Sequence, residues 1–367
     1  VEAPVLATVA DGVGRLTLNR PRAINALNVE MVRLLQASLD AWADDSEVSV
    51  VLLDGAGERG FCAGGDLREI SALAADGVEA ASVFFREEYR LDAAIAGYPK
   101  PVVAVLDGIA MGGGIGLGGH ARIRLVTERS KLAMPETKIG LFPDVGASRL
   151  LARAPGELGT FLALNSRSMD ASDAIACGFA DAYVPSDRLE AVAQALAERA
   201  DPGTPWEIVL LFDETPEPSA LLAQRDWIDA CYSADSVSGI LARLRAFAAG
   251  EPIEGLRATD SADADAASNA AVAAAELERL SPTGLVATLA ALRAARDDDG
   301  LHATLERDFR LARRLVREPD LIEGIRAQVI DKDFAPIWHP ADLAEVDAAS
   351  LAAALSTPLP DGVFTAA

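Results

Sequence analysis

Cysteine, histidine and aromatic residues are scarce in this chain, and basic residues are outnumbered. The three cysteines (Cys62, Cys177 and Cys231) lie far apart, are odd in number and form no C-x-x-C pair. That argues against a disulfide framework or a zinc knuckle and for a reducing compartment, taken here as the cytoplasm. The three histidines (His120, His302 and His339) share no spacing of the H-E-x-x-H kind, so no metal site is expected. Lys and Arg total 33 against 56 Asp and Glu, giving a net charge of −23. Nucleic-acid binding needs basic clusters that neutralise phosphate, so this balance argues against it and against docking on an anionic membrane. Its ordinary consequence is solubility. No apolar run approaches the roughly 18 residues of a membrane span, and no basic segment precedes an apolar one. The chain starts at Val1 rather than Met, which is compatible with a preceding, cleaved targeting segment.

What is present is a large apolar fraction, 50% of 367 residues, much of it alanine. That suffices for a substantial core of closely packed helices. Residues 5–19 read as two strands around an Asp-Gly turn. "ALNVEMVRLLQASLDAWADD" has the spacing of an amphipathic helix. "VSVVLLDGAG", "PVVAVLDG" and "RIRLVTE" read as strands, with "GVEAASVFFREEYRLDAAIAGY" a long helix between the first two. Residues 183–185 are expected to add a last short strand. Strands alternating with helices predict an α/β core over 1–200. From 201 to 367 the pattern is helical, interrupted by an acidic low-complexity stretch at 256–268.

Two glycine-rich loops follow strands: "GFCAGGDL" (60–67) and "GIAMGGGIGLGG" (108–119). Small residues let backbone N–H groups approach a ligand closely. Two such groups from separate loops can converge on one carbonyl oxygen as an oxyanion hole. The ordinary alternative is tight turns and close packing. A second rival is dinucleotide binding, because "GIGLGG" (114–119) satisfies G-x-G-x-x-G. However, the glycines lie several residues beyond the strand and the acid Glu128 comes too early.

The apolar stretch "AMPETKIGLFPDVGAS" (133–148) carries two acids, Glu136 and Asp144. Each follows a proline, and each could serve a helix start, Asp144 as an N-cap. Beside an oxyanion hole, one carboxylate could instead act as base or nucleophile on a carbonyl, and the other hold a polar substrate group.

"RPRAINALN" (20–28), the two glycine loops and "MPETKIGLFPDVGAS", in this order and spacing, resemble the crotonase (enoyl-CoA hydratase/isomerase) superfamily. The resemblance implies a spiral of ββα units binding an acyl-CoA thioester, here with a helical C-terminal region. By motif position the Gly65 and Gly113 N–H groups would polarise the thioester carbonyl. The loop Ala63, Gly64, Gly65 and Asp66 would border the CoA. The family's hydratases use two glutamates. One matches Glu136, but the position of the other is Gly116, while Asp144 stands where hydratases carry glycine.

That exchange resembles the 3-hydroxyisobutyryl-CoA hydrolase branch, as do "FFREEYRLDAAIAGYPKP" (84–101), "SPTGL" (281–285), "LERDFRLARRL" (305–315) and "EGIRAQVIDKDFAPIWHPADLAEV" (323–346). The implied reaction is hydrolysis of a short β-hydroxyacyl-CoA, as in valine breakdown, without a cofactor, since CoA is part of the substrate. Glu136 would attack the carbonyl or activate water, Asp144 would hold the substrate hydroxyl or that water, and Glu88 would orient the same polar cluster. Within "REEYR" the ordinary reading of Glu88 is a solvated helix face. Glu323 and Arg326 are spaced as a surface pair or brace, the structural brace being favoured. The rivals are hydration or isomerisation of an enoyl-CoA, and acyl-CoA binding without turnover. Family members often assemble as homo-oligomers, and the C-terminal helices could mask or replace that surface.

Overall fold

The computed structural model describes residues 3–198, 203–253, 264–297 and 300–364. Its chain forms two compact units. One comprises Val1–Asp66, Val83–Ala133 and Ser168–Pro218; the other comprises Leu67–Ser82, Met134–Arg167 and Ser219–Ala367.

The first unit carries the sheets. β1 (Val5–Ala10) and β2 (Val13–Leu18) form an antiparallel hairpin. Its turn residues Asp11 and Gly12 both have positive φ, 48° and 81°, the conformation for which Asp-Gly is selected. From β2 the sheet runs parallel through β3 (Val50–Gly55), β4 (Val102–Val105), β6 (Ile123–Val126) and β9 (Ala182–Tyr183). β5 (Ile109–Met111), β7 (Lys131–Ala133) and β8 (Ser168–Met169) form a second, small sheet. The apolar run of β3 is buried along its length, as parallel strands covered on both faces require. Helices Leu189–Glu198 and Pro205–Leu210 cover one face, where Val192, Leu196, Ile208 and Val209 pack with Val50, Leu52, Val103 and Leu125.

Successive strands alternate between the sheets. β4 joins the large one and β5 the small one, and β6 and β7 repeat the step. After β3 the chain does the same with bridges alone, Gly60 to Gly108 and Cys62 to Ala110. A helical turn follows each pair: Leu67–Ala75, Gly113–Gly119 and the 3-10 turn Glu136–Ile139. This is the expected spiral of ββα units. Along the chain, Gly65 lies just before the first of these helical turns, and Gly113 and Glu136 begin the next two.

Asn25 holds the first of these corners. Its side chain is fully buried, and its amide nitrogen faces the carbonyl oxygens of Ala56, Gly60 and Phe61 at 3.0–3.1 Å. Its own carbonyl oxygen Oδ1 accepts the Arg20 N–H at 2.9 Å.

The second unit is helical. Helix Pro282–Ala295 lies among Ala147–Ala152, Leu158–Leu164, Leu301–Leu315 and Ala348–Ala354. Small residues on it (Gly284, Ala287, Ala291) permit close packing. Ser281 caps its start by accepting the Gly284 N–H at 2.9 Å. Trp227, on helix Arg225–Tyr232, meets Phe161 edge-on and stacks on Phe247 of helix Val237–Ala248. Of the low-complexity stretch 256–268, residues 264–268 open helix Ala264–Leu277; the remainder lies outside the described residues. Arg326 grips Glu323 with two bonds of 2.8 Å and reaches Asp331 and Asp333, while Glu323 accepts the Ile337 N–H. The pair therefore braces the loop that follows the π-helical turn Arg326–Ile330.

Removing the Asn25 amide would leave buried carbonyls without their donor. Asn25→Ala is expected to destabilise the protein by about 2 kcal/mol, read from urea unfolding midpoints. An unchanged midpoint would contradict that role.

Candidate active site

In the first unit, the loop 62–66 is threaded between two backbone segments. Cys62 and Ala63 donate their N–H groups to Ile109 and Ile24, and Asp66 donates to Leu27. Gly64 N–H points to the Cys62 sulfur at 3.4 Å. Leu27 and Met111 donate back to Gly64 and Cys62. The Arg20 guanidinium then fixes the Asp66 carboxylate at 2.8 Å. Within this fully bonded loop, the Gly65 N–H has no acceptor among the described residues. The same is true of Gly113, the first residue of its helix, where an N–H has no intrahelical partner. Gly113 is buried, and buried N–H groups are nearly always paired. A pair of open donors in adjacent loops therefore suits an incoming carbonyl oxygen.

The loops do touch. A Cβ on Gly64, whose φ is +98°, would lie 3.0 Å from the Met111 oxygen and 3.4 Å from the Gly113 nitrogen. A Cβ on Gly113 would lie 2.2 Å from Glu88 Oε1 and 3.2 Å from Leu27 Cδ1. So Glu88 is no solvated helix residue: it is 2% exposed, and its carboxylate lies against Gly113. The first unit thus brings Ala63, Gly64, Gly65, Asp66, Gly113 and Glu88 together. Asp92, one turn on from Glu88 in helix Val78–Ala96, is also fully buried. Sequence reasoning passed over it, although Phe85, Glu88, Tyr89 and Asp92 lie on one helical stripe.

Cys62 sits in this loop but is no nucleophile. Burial pushes its thiol up to about 12, far from thiolate chemistry at neutral pH. The G-x-G-x-x-G match at 114–119 falls inside a buried helix, not on a strand-to-helix phosphate turn. Among the described residues, no group of His, Cys, Asp and Glu is placed to hold a metal ion, and no helix is long and apolar enough to cross a membrane.

The second unit holds the two acids of the 133–148 stretch. Glu136 begins its 3-10 turn and is 6% exposed; Asp144 is 5% exposed. Asp144 is not a helix cap. The N-cap of helix Ala147–Ala152 is Gly146, and no side chain bonds there. Instead Asp144 opens a tight turn through its backbone carbonyl, which accepts the Ala147 N–H at 2.8 Å. Val145 and Gly146 both have positive φ, 51° and 73°. A buried, β-branched Val145 in this region is a strained residue.

Two acids from the C-terminal helices stand behind these turns. Asp320 accepts from the Ser281 hydroxyl at 2.5 Å and the His339 N–H at 2.7 Å, and packs on Gly140. Burial raises its carboxyl above the ordinary range. Asp308, also buried, accepts the Gly146 N–H at 2.9 Å and the Ser148 hydroxyl at 3.3 Å. Neither was singled out from the sequence. The available signal was an acid on an apolar stripe: Leu305, Asp308, Phe309, Ala312 and Leu315 are all buried.

The profile of the Enoyl-CoA hydratase/isomerase family matches residues 13–355. The chain is 37% identical over 345 residues to the mitochondrial 3-hydroxyisobutyryl-CoA hydrolase of Danio rerio, covering 91% of this chain and 84% of that protein. To the protein of that name from Homo sapiens it is 37% identical over 340 residues, covering 91% and 83%. Among solved structures, a carnitinyl-CoA dehydratase from Mycobacterium thermoresistibile is 41% identical, with a TM-score of 0.88 over 99% of this chain and 98% of the other. An enoyl-CoA hydratase from Rhodobacter sphaeroides 2.4.1 is 37% identical, with a TM-score of 0.87 over 99% and 100%. On the sequence match, the shared fold and the glycine corners alike, the chain belongs to the enoyl-CoA hydratase/isomerase family.

Proposed function

We propose that the protein hydrolyses a short β-hydroxyacyl-CoA thioester, with 3-hydroxyisobutyryl-CoA as the substrate to test first. The Gly65 and Gly113 N–H groups bind the oxyanion that forms when the thioester carbonyl is attacked. Glu136 either takes a proton from the attacking water or attacks the carbonyl itself, forming a mixed anhydride that water then opens. The C–S bond breaks, CoA leaves as the thiol, and the acyl group leaves as the free acid. Asp144 holds the substrate hydroxyl or the water, and Glu88 orients the polar cluster beside Gly113. The reaction draws on no resident cofactor, and the place we infer for it is the acyl-group breakdown of valine. Three buried, unbridged cysteines support a reducing compartment such as the cytoplasm.

The observation that carries this reading is the distribution of acids. Helix Gly113–Gly119 has the sequence GGIGLGG, with Gly116 where the family's hydratases would need their second glutamate. Asp144 is a buried acid in the turn after Glu136. The names of the curated relatives support the same reading.

A second reading, hydration or isomerisation of an enoyl-CoA, is supported by the name of the similar enoyl-CoA hydratase from Rhodobacter sphaeroides 2.4.1. The reactions differ in one product, since only hydrolysis frees CoA. Captured with a chromogenic disulfide, CoA release from 3-hydroxyisobutyryl-CoA is expected in the wild type. Glu136→Gln is expected to lower kcat by roughly 10²–10⁴-fold. Asp144→Asn should lower it in the same assay. Hydration of crotonyl-CoA without CoA release would overturn the reading.

Gly113→Ala drives a methyl group onto the Glu88 carboxylate. It is expected to lower kcat by about 10²-fold, the scale of a displaced oxyanion donor, with far-UV circular dichroism unchanged. Wild-type kcat in this variant would place the oxyanion donor elsewhere.

A further inference from the structure

The turn that carries Asp144 is strained, and a side chain from far along the sequence bonds to it twice. Val145 and Gly146 both occupy left-handed backbone. For a non-glycine residue such as Val145, that backbone persists only where its surroundings over-determine it. Asp308, 162 residues beyond Gly146, reaches back from helix Leu301–Leu315. One carboxyl oxygen takes the Gly146 N–H at 2.9 Å, and the other takes the Ser148 hydroxyl at 3.3 Å. The turn is thus gripped on either side of Ala147, just after Asp144.

We propose that Asp308 is a positioning residue for Asp144, holding the 144–148 turn in its strained form and setting the charge that Asp144 faces. The proposal rests on the hydrolase reading for its consequence in turnover, though not for the coupling itself.

The electrostatics agree with the geometry. Asp308 is fully buried, and its carboxyl is raised well above the ordinary range, first by burial and then by the Asp144 charge; the Gly146 and Ser148 bonds and Arg307 oppose this. Asp144, from the loop before helix Ala147–Ala152, and Arg307, on its own helix, are thus the charged groups acting on Asp308. Among the packed elements, helix Ala147–Ala152 carries one charged side chain, Arg149, and helix Ala348–Ala354 carries none. Helix Pro282–Ala295 offers Arg293, which is committed to Glu157. A neutral Asp308 retains both contacts: one oxygen accepts from Gly146 while the acid O–H donates to the Ser148 hydroxyl. Between the ordinary carboxylate value and the raised one, the folded protein holds a proton that the unfolded chain has lost. Stability from this group is therefore lost as pH rises through that window.

Asp308→Asn keeps the acceptor for Gly146 and a donor for Ser148 but cannot ionise; Asp308→Ala removes the grip. Two readouts test the proposal. In thermal unfolding, the Tm of Asp308→Asn relative to wild type should climb as pH rises from about 4, and this climb should shrink when both proteins also carry Asp144→Asn. A difference independent of pH, or of Asp144, would overturn the charge coupling. In turnover, Asp308→Ala should lower kcat at least 10-fold with KM within about 3-fold, and Asp308→Asn should restore most of it. Asp308→Ala with wild-type kcat, or Asp308→Asn no better than Asp308→Ala, would overturn the positioning role. If the wild type frees no CoA, the hydrolase reading fails by itself, and the pH dependence of Tm still decides the coupling.

Discussion

The second unit is organised around a backbone turn that a relaxed chain would not adopt. Val145 is branched at Cβ, buried, and held at a φ of +51°, at a cost of order 1–3 kcal/mol. Locally, the turn is closed by the Ala147 N–H on the Asp144 carbonyl. The neighbouring helix Ala147–Ala152 is short and has no side-chain cap. Further support comes from helix Leu301–Leu315, whose Asp308 supplies an acceptor to Gly146 and to Ser148. A similar arrangement stands behind Glu136, where Asp320 packs on Gly140 and ties to Ser281 and His339. The C-terminal helices therefore act as a frame for two acid-bearing turns. Their role would be lost on a reading that saw only an appended bundle.

The first unit solves a different problem by repetition. Its chain passes from the large sheet to the small one three times over. At Gly65 and Gly113 the backbone N–H is left without an acceptor among the described residues. Glycine fits both places: Gly64 has a φ of +98° and closes against the Met111 oxygen, and Gly113 leaves room for the Glu88 carboxylate. Asn25 and Arg20 then hold the loop from behind through buried amide and guanidinium contacts. An open N–H at a rigid corner needs no reorganisation when charge develops on a bound oxygen, and preorganisation of this kind is the largest single contribution in many enzymes.

Much of this was legible in the sequence. The β-branched runs of β3 and β4, the Asp-Gly hairpin and the apolar spacing of Val29–Ala43 all announce their structures locally. Motif order points to Gly65, Gly113 and Glu136, since each corner carries its own short signature. The small sheet was not legible. β5 and β7 have three residues each and β8 has two, too short for any period to show. Nor does the change of pattern near residue 200 reveal how the compact units interleave, because the chain enters the second unit at 67–82 and 134–167. Asp308 and Asp320 escaped for the same physical reason: their partners lie far away in sequence. An acid set among buried apolar residues, as in Leu305-x-x-Asp308-Phe309, was the one local hint.

The family's members carry hydrolase, hydratase and dehydratase names on one fold, so the acids, not the fold, must decide the reaction. The most direct measurement is to incubate the purified protein with 3-hydroxyisobutyryl-CoA in ¹⁸O-labelled water and identify every product by mass. The account predicts equal amounts of CoA and free acid, with solvent oxygen in the acid carboxyl. An intact thioester converted only to its dehydrated acyl-CoA would contradict it.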